Sequence, residues 1–581
     1  MTILGATSPP QFAIGQSDYA LLRRRGMTYV DKTLWVADVL GHASVVHVVP
    51  RPRRFGKTLN MSMLRYFVER TDEDRTDLFT DTALWHAEGG RYREHFQRYP
   101  TIYLSFKDVK TADWSSCQVQ LIRLLARTAR ELLRYSPLRT SDTTTPSSGE
   151  LTMDRLAVET TSIGVFSDML LDASAWLHKV TGQQVIVLID EYDAPLHAAW
   201  QHGYWDEAVG FFRNFLSAGL KDNNHLYKGV LTGILKVAKE GIFSGLNHTV
   251  TSTILTSQMS DRFGFAEDEV AQLASVAGCP DQLPVMQRWY NGYQFGQVPP
   301  HTMYNPWSIL NFLSRRPDAP QAFWKNTSDN GLIRTLLTRH AAAIGPQVEL
   351  LLRGGVISQL IDENVAMQQL HDSSEIAIGL LLFSGYLTAA SIQSTDDGPI
   401  VSLRIPNLEV RGVFTQTFRT WIVGEPGTEG APLAQGLAAA MLAGDAASFE
   451  RQLSRLLVTM LSYHDVGGRR VEAVYQAFVV GLLVLLEPTH LVRSNREAGY
   501  GRADVLVTPR QQGAGAVLEL KVMEPEFGDT VESSLNEAIA QLADRDYAAE
   551  VRAGGATSVH QYAVVFDGKR CWVRMVEGIT A

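Results

Sequence analysis

Short apolar runs alternate with longer stretches of helical periodicity over the first 267 residues. Ser44–Val49 reads as a buried strand entering an Arg/Gly-rich turn, and Leu59–Glu69 behind it reads as a helix, with Met61, Leu64 and Phe67 at helical spacing. Thr101–Phe106 is a second strand. Ala112–Tyr135 is a helix with many arginines opposite its apolar face. Ser136–Thr152 is polar and rich in Ser, Thr and Pro, as an exposed loop or insertion would be. Val185–Ile189 is a third strand, wholly apolar and followed by acids. Tyr204–Leu220 is helical, and Lys228–Leu235 is a fourth strand. Strands alternating with helices predict an α/β fold with a doubly wound parallel sheet.

From Asp268 to Ser454 the pattern becomes mainly helical and aromatic-rich, with WYNGYQF at 289–295, YNPWSILNF at 304–312 and LLFSGYL at 381–387. Such aromatics have the shape to stack on bases, but core packing and helix capping account for them more simply. From about Arg455 a helix, two strands, a helix over Thr530–Ala549 and two last strands predict a small α/β domain. The expected organisation is therefore 1–267, 268–454 and 455–581.

A chain of 581 residues exceeds one ordinary core, so several domains are expected. Three cysteines, Cys117, Cys279 and Cys571, form neither a metal-ligand spacing nor a disulfide framework, which fits a reducing cytoplasm. No signal-peptide pattern opens the chain, and its longest apolar stretch, Ala477–Leu486, is too short to span a bilayer, so no membrane partner is expected. The net charge of −9 offers no global basic footprint, so binding to nucleic acid would need a local patch.

Two places carry chemistry. The first is Arg51–Thr58, RPRRFGKT, between a strand and a helix. A general phosphate loop reads G-x-x-x-x-G-K-[ST]. Gly56, Lys57 and Thr58 fit it, while Arg51 replaces the glycine that lets such a loop curl, and Pro52 stiffens it. Lys57 would reach the β- and γ-phosphates of ATP, Thr58 would hold Mg²⁺, and Arg53 and Arg54 add positive charge. The second half of this site is VIVLIDEYD at 185–193. Asp190 would hold Mg²⁺ through water and Glu191 would activate the hydrolytic water, with Tyr192 and Asp193 at the rim. A surface turn and an acid-capped strand are the alternatives.

The other place is Gly501–Lys521, GRADVLVTPRQQGAGAVLELK, which reads as a β-hairpin. Alternation puts Glu519 and Lys521 on one face, where Asp504 of the paired strand can meet them. Two close carboxylates favour a divalent cation, and a lysine beside it can orient or deprotonate water. An ordinary same-face ion pair is the alternative. Arg493, Arg496 and Arg502 just upstream are either phosphate contacts or solvated surface residues.

These strings carry a resemblance. Asp504…Glu519-x-Lys521 resembles the core of the PD-(D/E)XK nuclease superfamily. RPRRFGKT and VIVLIDEYDAPL resemble the phosphate-site motifs of the AAA-ATPase-like proteins, whose usual loop also reads RPRRFGK[ST]. The resemblance extends over roughly Phe12–Val576 and implies an N-terminal P-loop domain and a C-terminal restriction-endonuclease-like domain. Thr232 matches the polar residue that senses the γ-phosphate in related ATPases. Lys236, Lys239 and Asn247 match a family motif. Glu472, on the helix predicted over Arg470–Leu486, matches the carboxylate that precedes the core hairpin, so Glu472, Asp504, Glu519 and the Leu520 carbonyl would surround one or two Mg²⁺. Gln541 and Tyr547 resemble a Gln/Tyr pair found near substrate. Tyr475-Gln476 departs from the family's Tyr-His. The function implied is an ATP-binding, Mg²⁺-dependent nuclease that hydrolyses ATP and cleaves phosphodiester bonds in nucleic acid, DNA being the expected substrate. The alternative is a nucleotide-dependent switch or scaffold whose nuclease-like domain only binds nucleic acid or a protein. A homo-oligomer stays open, since the phosphate loop does not imply a ring.

Overall fold

The computed structural model describes residues 3–576 except 6–9, 137–147, 160–161, 237–248, 316–317, 325–340, 353, 365–372, 424–429, 461–474, 476–477, 480–481, 484–485, 487–488, 499–500, 524–527 and 545. Some helix and strand stretches, 494–498 and 501–502 among them, are described as backbone only. The chain forms two compact units, one of residues 1–329 with 358–410 and one of residues 330–357 with 411–581. The stretch 268–454, expected as one region, contributes to both.

In the first unit five parallel strands form one sheet: β1 (Val46–Pro50), β2 (Thr101–Ser105), β3 (Val185–Asp190), β4 (Leu226–Gly233) and β5 (Thr249–Thr251). Their spatial order is β2-β3-β4-β1-β5. All residues of β1 and β3 are buried, as strands covered on both faces require. Helix α1 (Lys57–Val68) buries Met61, Leu64 and Phe67, each worth about 1.5–3 kcal/mol relative to exposure. It begins before its apolar periodicity does, because its first turn carries the polar Lys-Thr pair. Helix α2 (Trp114–Leu132) is shorter than its periodicity suggested, since Asp113 accepts the Ser116 N–H at 2.8 Å and fixes the start. Helix α3 (Trp205–Leu220) precedes β4. Within the polar stretch 136–152, the described part from Ser148 is already helical. Because the sheet is parallel, the ends of β1, β3 and β4 share one edge, where ligands bind in open α/β sheets.

Helices dominate the middle of the chain, as expected. Two small sheets interrupt them, one pairing Tyr293–Phe295 with His301–Met303, the other ordered Ile357–Leu360, Gly398–Arg404, Thr388–Thr395. The aromatic strings are core. Tyr290 packs with Val270, Leu273, Met286, Ile309 and Phe312, the last two on α4 (Pro306–Ser314). Glu409 is fully buried among them. It accepts the Ser308 hydroxyl at 2.7 Å and the Trp324 amide N–H at 2.9 Å, and burial pushes its carboxyl up to about 7.

The second unit holds a mixed sheet of β6 (His490–Ala498), β7 (Gly501–Pro509), β8 (Gly513–Val522), β9 (Ala556–Asp567) and β10 (Arg570–Val576), in that spatial order. Only the β8–β9 pair is parallel. A parallel pair needs a crossover connection, and here α5 (Val531–Asp544) and α6 (Ala548–Ala553) lie between the two strands in sequence. Leu535, Ala538 and Leu542 of α5 pack on Leu506, Val517, Ala563 and Val565. The helix expected as one piece over Thr530–Ala549 is thus two, and β6 is a strand the polar string HLVRSNREA did not announce.

Candidate functional site

The nucleotide-type site lies where β1 ends. Gly56, at φ 85°, stands directly before α1, and Arg54 two residues earlier is also left-handed, at φ 68°. These two positions curl the loop in place of the missing first glycine, and alternating backbone of this kind turns amide N–H groups inward as an anion nest. Arg51 does something else. Its guanidinium is fully buried and donates to the carbonyls of Pro50 at 3.0 Å, Ser252, and Met259 at 3.0 Å. It also lies over the rings of Phe263 and Phe295, and burial lowers its pKa to about 9. Arg51 therefore fastens the loop from beneath. Phe55 is likewise buried, its ring 4.9 Å from Tyr293 and 5.2 Å from Phe295. A side chain at Gly385 would meet Pro52 at 2.9 Å. The aromatic strings from the middle of the chain are thus the wall on which the phosphate loop rests.

Lys57 donates to the Arg51 and Pro52 carbonyls, both at 3.0 Å. That anchors the ammonium inside the loop it must serve. Burial lowers its pKa, opposed by the charges of Glu191, Asp193 and Asp190. At the end of β3, Asp190 is fully buried. Its Oδ1 accepts the Thr232 hydroxyl at 2.6 Å, so Thr232 is turned toward the acid. Burial raises the Asp190 pKa, while Thr232 and then Thr58 act to lower it. Thr58 therefore faces the same carboxylate, yet Oδ2 makes no hydrogen bond of ordinary geometry. Ser105 is paired in register with Asp190, and its hydroxyl is a second buried atom without a hydrogen bond. A carboxylate oxygen and a hydroxyl left this way cost about 1–3 kcal/mol each. Thr58 and Asp190 offer the oxygen donors that would suit a hard divalent cation. Ser105 was missed from sequence, although a hydroxyl at the end of the strand TIYLSF was its signal.

Glu191 follows in a left-handed conformation, at φ 51°. Asp193 is buried and accepts the Ile234 and Leu235 N–H groups at 2.8 and 2.9 Å, with His197 3.3 Å away. Those contacts hold its pKa down against burial. Asp193 thus ties the end of β3 to the chain leaving β4, and the Arg51 N–H to Gly233 carbonyl bond, 3.0 Å, ties the phosphate loop to the same place. Lys236 ends the described part of that segment; Lys239 and Asn247 lie outside the described residues.

In the second unit the β7–β8 ladder runs through Val505↔Leu518, Leu506↔Val517 and Val507↔Ala516. Beyond it the Asp504 side chain takes over, with Oδ2 accepting the Leu520 N–H at 2.7 Å. This places the Asp504 carboxylate on the peptide joining Glu519 to Leu520. Glu519 is buried. It shares the face of Val517, which α5 covers. Lys521, on that face, pairs with Glu537 of α5 at 3.1 Å. Glu537 was not foreseen; it follows only from the crossover that brings α5 over β8. One turn on, Gln541 has a buried Oε1 without a hydrogen bond, whereas Tyr547 is core. Arg493, partly exposed, pairs with Glu550 at 3.2 Å. Side chains of Arg496 and Arg502, and all of Glu472, lie outside the described residues. Among the described residues no three His, Cys, Asp or Glu side chains converge as a metal site. Asp504, Glu519 and a main-chain carbonyl are all-oxygen donors, the set that suits a hard cation.

A glycine-lysine loop with a buried acid at the end of a parallel strand is the arrangement of nucleotide-binding α/β proteins, and the acid-acid-lysine hairpin on a mixed sheet is that of nuclease-like ones. Comparison with known families agrees. Residues 13–243 match the family model described as a predicted AAA-ATPase, and residues 470–575 match that of the PD-(D/E)XK nuclease superfamily. The chain joins these two segments, which together suggest a nucleotide-dependent nuclease. A protein of Azotobacter chroococcum mcd 1 described as "Uncharacterized protein in vnfD 5'region" is 24% identical over 572 residues, spanning 96% of this chain and 97% of that one. Among the described residues no helix is long and apolar enough to cross a membrane.

Proposed function

We propose that the protein is an ATP-binding, ATP-hydrolysing, Mg²⁺-dependent nuclease that cleaves phosphodiester bonds in DNA. The observation that carries the reading is the Asp504–Leu520 bond, which sets one carboxylate against the peptide of Glu519 beside Lys521. Asp504 and Glu519, with Glu472, are the groups to hold Mg²⁺, which when bound supplies a lower pKa for water and charge neutralisation at the phosphate. Lys521 orients the attacking water or offsets charge on the phosphoryl oxygens. At the other site Lys57, with Arg53 and Arg54, would bind the phosphates, Thr58 and Asp190 would hold a second Mg²⁺, and Glu191 would take the proton of the hydrolytic water. The buried cysteines Cys117, Cys279 and Cys571 form no disulfide among the described residues, which fits a cytoplasmic setting.

The test is cleavage of plasmid and single-stranded DNA, with RNA in parallel, by the full chain in Mg²⁺ with and without ATP. Loss of cleavage in Asp504→Ala and in Lys57→Ala supports the whole reading. Loss in the first variant only assigns the nuclease an ATP-independent activity. ATP-dependent binding of DNA with no cleavage under any condition replaces the nuclease by a nucleotide-controlled binding protein.

A further inference from the structure

Arg54 is set unlike its neighbours. Arg51 is buried and fastens the loop, whereas Arg54 is exposed and held at a backbone angle that strains any residue but glycine. Its guanidinium carbon lies 4.4 Å from the centre of the Trp307 ring. Trp307 is firmly placed. It sits in the first turn of α4, its indole N–H donates to the Phe323 carbonyl at 3.3 Å, and a side chain at Gly15 would touch the ring at 3.5 Å. The carboxylate whose charge acts most on Arg54 is Glu191, the other charged residue of this site in a left-handed conformation. Glu191 is also the first-named acid acting on Lys57. Two strained, oppositely charged residues therefore act on each other at the loop that carries Lys57, and one of them rests on an aromatic face. An exposed guanidinium resting on a ring is held weakly, whereas a guanidinium on a phosphate makes charge-assisted, two-pronged bonds.

We propose that Arg54 distinguishes a nucleoside triphosphate from a diphosphate, resting on Trp307 when no terminal phosphate is present and moving onto that phosphate when a triphosphate occupies the loop. This rests on the nucleotide site proposed above and adds to it a specificity-determining residue with a defined resting place. The move releases the ring of Trp307 and removes the positive charge next to Glu191, so the same step changes the wall of the loop and the surroundings of the acid.

The experiment uses the full chain, Mg²⁺, ADP and the non-hydrolysable β,γ-imido analogue of ATP, with affinities from calorimetry and tryptophan fluorescence recorded alongside. Wild type is expected to bind the triphosphate about tenfold more tightly than ADP, the scale of one charge-assisted contact. Arg54→Ala brings the ratio near one, and Arg54→Lys restores part of it. The triphosphate, and not ADP, changes the fluorescence, and Trp307→Phe removes that change. An unchanged affinity ratio in Arg54→Ala, or an unchanged fluorescence response in Trp307→Phe, overturns this proposal while the nucleotide site stands. Failure of wild type to bind either nucleotide overturns both.

Discussion

Glu409 makes the stability of the first unit depend on pH in a calculable way. Its carboxyl is fully buried and titrates at about 7 instead of 4.5, because desolvation outweighs the help of Ser308 and Trp324. An acid with a raised native pKa favours the fold while protonated, fully so below the unfolded pKa, and loses that advantage as pH rises through the native value. The folded state binds more protons across this window, so unfolding free energy falls with pH. With the native pKa about 7, ionising Glu409 costs roughly 3 kcal/mol at pH 8.5 and about 1 kcal/mol at pH 5.5. The difference attributable to this side chain is therefore about 2 kcal/mol. Glu409→Gln cannot ionise, and its amide can accept from Trp324 while donating to the Ser308 oxygen. Urea unfolding followed by tryptophan fluorescence at the two pH values is the assay. Relative to wild type, Glu409→Gln should gain about 2 kcal/mol on going from pH 5.5 to 8.5. Parallel pH dependences in the two proteins would refute the argument.

Asp190→Asn should raise the melting temperature of the nucleotide-free protein, because it removes a buried charge with an unmet oxygen, and should abolish the further rise produced by MgATP; calorimetry with and without MgATP reads both. Lys57→Ala should lose ATP binding by at least about 100-fold in titration calorimetry, since both the phosphate contact and the anchor to the loop carbonyls go. Asp504→Asn keeps an acceptor for the Leu520 N–H, so the fold should hold while Mg²⁺-dependent cleavage drops about 100-fold or more; an active Asp504→Asn enzyme would remove the carboxylate from the mechanism.

The legible parts were those whose pattern is local. β1, β3 and the β7–β8 hairpin are runs of apolar residues with charged punctuation, and the fold around them follows from alternation and periodicity. What stayed hidden depends on partners distant in sequence. Arg51 stands in the sequence only as the residue that replaces a loop glycine, and carbonyls about 200 residues away, at Ser252 and Met259, reveal it as a buried anchor. Trp307, Phe295 and Tyr293 read as generic core until the phosphate loop is seen against them. Six of the nine residues of β6 are polar, and its ladder with β7 is made by backbone groups that composition does not report. Glu537 could not be paired with Lys521 before the crossover was known.

The buried guanidinium beneath the proposed nucleotide site has a wider meaning. A glycine-rich loop can wrap itself around whatever phosphate arrives, whereas one bolted from below has its contour settled before any ligand comes. A nucleotide of the kind proposed would meet a finished mould, with adjustment left to the few side chains on its rim. Restoring the common glycine at position 51 would therefore not improve the site; it would take out the bolt and leave the mould without its form.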